Sequence, residues 1–74
     1  MKDRVKKIFS EVFEVDINEV ESIEYQSVEG WDSIGHMMMI SELESQFSVS
    51  IDIDDVIVIS NFAECIKILM KYRG

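Results

Sequence analysis

Apolar residues spaced for one face of a helix lie near both ends of this chain, and no covalent staple joins them. Val5, Ile8, Phe9, Val12 and Phe13 stand at i, i+3, i+4, i+7 and i+8, with Lys2, Lys6, Lys7 and Glu11 on the opposite face. That is the stripe of a half-buried helix, and it predicts helix one over about Asp3 to Glu14. The spacing returns at Phe62, Cys65, Ile66 and Leu69. Ser60 or Asn61 can cap this last helix, Glu64 suits its first turn, and Lys67, Lys71 and Arg73 suit its end, before Gly74. Cys65 is the one cysteine, so no internal disulfide can form, and no Cys/His spacing suggests zinc. Helix packing alone must hold a single domain over residues 1–74, and a core of this size supplies about 3–5 kcal/mol.

Between these stripes lies Gly30-Trp31-Asp32-Ser33-Ile34-Gly35-His36-Met37. Asp32 is a good N-cap, because its carboxylate can accept from the unpaired N–H groups of a first helical turn. Ser33 then becomes the first residue of helix two, at the positive end of the helix dipole, where a phosphate ester would be favoured. Helix two is expected over Ser33 to Phe47. Its period puts His36, Met39, Ile40, Leu43 and Phe47 on a core face and Ile34, Met37, Met38 and Ser41 on another, with Glu42, Glu44 and Ser45 alongside. An exposed apolar patch with an acidic rim reads as a docking surface.

Val15 to Gly30 shows no clean period and reads as a long ordered loop pinned by Ile17, Val20, Ile23, Tyr25 and Val28. Val49 to Ile53 alternates like a strand, and Val56 to Ile59 has strand propensity. No partner strand or turn signal accompanies them, and an unpaired strand would leave an open edge. A short helix around Asp54 to Val58, capped by Asp52 or Asp54, is the expectation. The fold class is therefore all-α: a small bundle of three long helices and one short helix, with a long loop between helices one and two.

Fifteen acidic residues against seven basic ones give a formal net charge of −8. That argues against nucleic acid and against anionic membrane surfaces, and favours a positively rimmed protein partner. The first residues lead straight into amphipathic sequence, and no apolar run approaches spanning length, so no membrane insertion and a cytoplasmic location are expected.

Asp32-Ser33-Ile34 at the start of helix two, in this order of elements, resembles an acyl carrier protein of the free-standing, phosphopantetheine-binding kind. The likeness runs from about Arg4 to Tyr72, with Leu43-Glu44, Phe47, Ile51 and Ile59-Ser60 as further framing residues. It implies 4′-phosphopantetheine on Ser33, attached by a carrier-protein synthase (a phosphopantetheinyl transferase) that uses coenzyme A and Mg²⁺. Asp32 matches the acid beside that serine. The arm's thiol would hold acyl or aminoacyl cargo as a thioester for acyl-transferring or acyl-activating enzymes, with the cargo lying between helix two and the short helix. The resemblance implies partner contacts at Ile34 and Met37 and recognition of the acidic Glu42 and Glu44. Met38 and Ser41 join them on the docking face. Trp31 stands where carriers of fatty-acid synthesis usually have a small residue, and Met38 where they are often acidic. Both departures point to a specialised bacterial biosynthetic pathway, served by a monomer.

Two other functions fit the residues less well. An unmodified acidic adaptor that binds a basic protein partner would need only the charge and the bundle. A serine hydrolase would need Ser33 and His36 to act as nucleophile and base, yet His36 falls on the core face and no oriented acid or oxyanion hole is identifiable. The chain is therefore expected not to be an enzyme. Asp52, Asp54 and Asp55 lack the glycine and distal glutamate of a calcium loop, and no metal is expected. Cys65 reads as inert packing.

Overall fold

The computed structural model describes residues 1–73, and Gly74 lies outside them. Four α-helices follow in order: α1 (Lys2–Phe13), α2 (Ser33–Phe47), α3 (Ile53–Val58) and α4 (Phe62–Arg73), with a 3-10 helix over Ile17–Ser22 between α1 and α2. The all-α bundle expected from periodicity is the observed fold. Helix ends differ from the expected ones by a residue, which is within the ordinary fraying of helix termini.

The stripe of α1 buries Val5, Ile8, Phe9 and Phe13, while Val12 packs at the edge of the core. Glu14 then turns left-handed, its N–H bonding to the Ser10 carbonyl, and ends the helix. The supposed loop contains a further short element, the 3-10 helix. Asp16 caps it by accepting from the Asn18 N–H at 2.8 Å, and Val20 is its buried anchor. The segment is then tied to the start of α4: the Tyr25 N–H donates to the Ser60 carbonyl at 2.9 Å, and Glu24 bridges Asn61. That isolated bridge is the one β-like pairing among the described residues. The strand-prone Val56–Ile59 stretch folds as helix up to Val58 because no neighbouring edge offers it a ladder.

Two arginines from opposite ends of the chain meet at the far end of α2. Arg4 Nη2 donates to the Gln46 carbonyl at 3.1 Å and Arg73 Nη1 to the Phe47 carbonyl at 3.0 Å, and both guanidinium groups lie over the Phe47 ring. They satisfy carbonyls that a helix C terminus leaves unpaired and place positive charge at its negative pole. At the other end of the bundle α4 begins on Asn61, whose Oδ1 accepts from the Glu64 N–H at 2.8 Å.

Helix α3 is held to α4 by a polar clasp. The Tyr72 hydroxyl donates to Asp55 Oδ2, Lys71 Nζ lies 3.1 Å and 3.0 Å from the two carboxylate oxygens, and the Asp52 N–H donates to the Tyr72 hydroxyl at 3.0 Å. Asp55 is therefore a bound group and not part of a freely solvated acidic turn. The Tyr72 hydrogen bond, followed by the Lys71 hydrogen bond, holds its carboxyl below the usual carboxylate range. Asp55 in turn raises both Lys71 and Tyr72 above their ordinary values.

The sign of the linkage follows. A depressed carboxyl contributes stability above its unfolded pKa of about 4 and loses it as pH falls through the folded value. The raised Lys71 and Tyr72 contribute below their unfolded values, near pH 10, and lose it as pH rises further. Urea titrations of the wild type and Asp55→Asn are expected to differ at neutral pH and to converge below about pH 4. An undiminished difference at low pH would show that the clasp contributes nothing through its charge.

Candidate functional site

Ser33 opens α2 as expected, and Asp32 caps it: Asp32 Oδ1 accepts from the Gly35 N–H at 2.7 Å, and the Asp32 carbonyl accepts from the His36 N–H at 2.8 Å. The cap occupies one Asp32 carboxylate oxygen and leaves the Ser33 side chain exposed. The Ser33 hydroxyl lies 3.2 Å from the Tyr25 hydroxyl, within hydrogen-bond distance. Tyr25 comes from the long loop, and no periodicity in the sequence connects it with the serine.

Both motif glycines are required by close approach. A Cβ on Gly30 would lie 2.2 Å from the Phe13 carbonyl oxygen, and one on Gly35 would lie 2.1 Å from the Gly30 carbonyl oxygen. The C terminus of α1, the loop and the first turn of α2 are thus stacked backbone on backbone, which sets where Ser33 stands.

Trp31 is fully buried under the site. Its ring stacks on Phe13 at 4.5 Å and meets Phe9 edge-on at 5.3 Å. Trp31 Nε1 donates to His36 Nδ1 at 3.0 Å, and His36 Nε2 lies 2.8 Å from the Val56 carbonyl. With Nδ1 accepting, the neutral ring carries its proton on Nε2 and donates it to Val56. His36 is therefore a structural link from the tryptophan to α3. Both of its nitrogens are engaged, and it has no free lone pair to activate Ser33.

An apolar cleft of about 310 Å³ opens beside the serine, lined by Tyr25, Ser33, His36, Met37, Ile53, Val56, Ile57, Ile59 and Ser60. The period of α2 separates Met37 from His36, yet both border this cleft, whose other wall includes Ile53, Val56 and Ile57 of α3. A larger cavity of about 500 Å³ lies under the C terminus of α1, lined by Glu14, Val15, Glu29, Gly30 and Asp32 among others. Ser33 does not border it, and its walls are mainly polar.

Over residues 3–69 the chain matches the family described as phosphopantetheine attachment site. The chain belongs to this family of acyl-carrier-type proteins. No curated protein matches it. The cofactor of such a carrier is covalently attached 4′-phosphopantetheine. The residues here suit that group: an exposed hydroxyl at a helix N terminus, where backbone N–H groups favour an anion, next to an apolar cleft.

The other residues singled out in the carrier's sequence are distributed along α2. Ile34, Met37 and Met38 are exposed near the serine, and Ser41 and Glu42 are exposed further along the helix. Glu42 accepts from Gln46 Nε2 at 3.0 Å. Glu44 is only half-exposed, and its Oε2 accepts from the Ile51 N–H at 2.9 Å, closing the turn into α3. Cys65 is buried on α4, and burial pushes its thiol up to about 12, so it is no nucleophile at neutral pH. No helix among the described residues is long and apolar enough to cross a membrane.

Proposed function

We propose that this carrier holds its arm on Ser33 and delivers acyl or aminoacyl cargo to partner enzymes without catalysing a reaction itself. The observation that carries the assignment is the exposed Ser33 hydroxyl, on the first residue of α2 and at the mouth of the apolar cleft. When bound, the arm supplies a thiol on which cargo rides as a thioester. Asp32 holds the helix start so that the hydroxyl stays outside. The free N–H groups of the first turn offset the charge of a phosphodiester. Met37, Ile53 and Ile57 supply apolar wall for an aliphatic cargo, which water would otherwise surround.

The docking face comprises Ile34, Met37, Met38 and Ser41, with the exposed Glu42 and the half-exposed Glu44 as its carboxylates; Glu44 also fastens the α2–α3 turn. Trp31 before the motif and the apolar Met38 favour a specialised bacterial pathway over routine fatty-acid synthesis. The working form is a cytoplasmic monomer, and the phosphopantetheinyl transferase is its first partner.

Incubation with a broad-specificity phosphopantetheinyl transferase, coenzyme A and Mg²⁺ is expected to raise the intact mass by one arm. Ser33→Ala should gain nothing while keeping the wild-type circular dichroism spectrum. A wild-type chain left unmodified beside a control carrier that is modified would favour the unmodified adaptor. A Ser33→Ala chain that still gains the arm would move the attachment elsewhere.

A further inference from the structure

Tyr25 belongs to the long loop, yet its backbone and ring are both held. Its N–H donates to the Ser60 carbonyl at 2.9 Å. The next residue, Gln26, is left-handed at φ 67° and donates its N–H to the Trp31 carbonyl at 2.9 Å. The Tyr25 ring meets Trp31 edge-on at 6.4 Å and His36 at 5.4 Å. Trp31 is core and His36 is engaged at both nitrogens, so the ring rests on fixed neighbours. All of these contacts need only the backbone and the ring. The hydroxyl adds one contact: it lies 3.2 Å from Ser33 Oγ, its one hydrogen-bond partner among the described residues.

In the unmodified chain either hydroxyl can donate to the other. The pair is exposed, and a bond between two neutral groups facing water contributes little. A phosphate ester on Ser33 changes the balance. Oγ then carries no proton, so the tyrosine must be the donor, and negatively charged oxygens stand two bonds from Oγ. Other side-chain donors are scarce at this spot. No lysine or arginine occurs between Ile8 and Ile66, and none lines the cleft. Asp32 has already taken the Gly35 and His36 N–H groups. Apart from the first N–H groups of α2, the Tyr25 hydroxyl is the donor that reaches the esterified oxygen.

Resting on the carrier reading, we propose that Tyr25 is a positioning residue for the arm, its hydroxyl donating to the phosphodiester on Ser33. The ring serves the packing of the loop in both states. The hydroxyl gains a charged acceptor on modification, and charge-assisted hydrogen bonds are about twice as strong as neutral ones. It thereby fixes the root of the arm at the mouth of the cleft that Tyr25 itself lines.

Tyr25→Phe tests this on the full chain, because it removes the hydroxyl and keeps the ring. Wild type and variant, each with and without the arm, are unfolded in urea. The substitution is expected to raise the unfolding constant about threefold or more further in the arm-bearing protein than in the unmodified one. In ³¹P NMR of the folded arm-bearing proteins, the phosphodiester resonance of Tyr25→Phe should be displaced from that of the wild type. The two should coincide once both chains are unfolded. Tyr72→Phe, which removes a hydroxyl of the α3–α4 clasp, should leave the folded resonance in place.

Equal destabilisation of the two forms, or an unmoved phosphodiester resonance in Tyr25→Phe, would overturn the role of Tyr25 and leave the carrier reading standing. The unsubstituted protein gives a further check: the ¹³C resonance of Tyr25 Cζ should shift on arm attachment. A Tyr25 Cζ that does not respond would overturn the proposal even if Tyr25→Phe failed to fold. A wild-type chain that takes no arm, beside a control carrier that does, would overturn both readings.

Discussion

Trp31→Ala is expected to lose about 3–5 kcal/mol, as large aromatic truncations in packed cores do. A core of this size supplies about as much in total, so the variant should be largely unfolded at room temperature. Trp31 is fully buried between Phe9 and Phe13, and its indole N–H is the donor to His36. Truncation removes the aromatic filling, leaves a cavity and strands His36 Nδ1. Trp31→Phe separates these effects. It keeps a ring against Phe13 but removes the donor, and should cost less, with about 1–3 kcal/mol from the unpaired nitrogen. Urea titration followed by circular dichroism reads all three proteins. A Trp31→Ala midpoint equal to that of the wild type would mean the aromatic cluster is not the keystone of the core.

Gly35→Ala is the second large effect, and its sign runs against helix propensity. In a helix interior alanine is better than glycine by about 1 kcal/mol. Here the added Cβ would lie 2.1 Å from the Gly30 carbonyl oxygen, which is backbone and cannot rotate away. The first turn of α2 must shift, and the Asp32 cap on the Gly35 N–H shifts with it. Overpacking of this kind costs about 1–3 kcal/mol. If Ser33 bears the arm, its displaced hydroxyl should also be modified more slowly, on the order of 10–100-fold. A Gly35→Ala protein as stable as the wild type, and modified at the same rate, would show that the loop yields more easily than its backbone contact implies.

The parts of this protein that could be read from its residues are the local ones. The stripes of α1 and α4 follow from a period of 3.6, and the start of α2 from the capping chemistry of Asp32. The 3-10 helix over Ile17–Ser22 was not legible, because a turn this short has one buried anchor, Val20, and no repeating pattern. Glu44 resembles any exposed helix carboxylate until the fold brings the Ile51 N–H to it. Trp31 stands out in the sequence only as an unusual neighbour of the serine; that it fills the centre of the core depends on Phe9 and Phe13 arriving from α1.

The sequence by itself determined the four α-helices, the acidic character and, through Asp32-Ser33-Ile34 in its surroundings, the carrier family. Tertiary structure decided what stands around Ser33: the Tyr25 hydroxyl, the wall of α3, and the histidine that joins Trp31 to Val56. The reason is range. Helix periodicity and caps act within a few residues, whereas His36 and Val56 are 20 positions apart and meet only after the chain has turned back on itself. A motif can therefore name the serine, but only the packed bundle gives it a cleft.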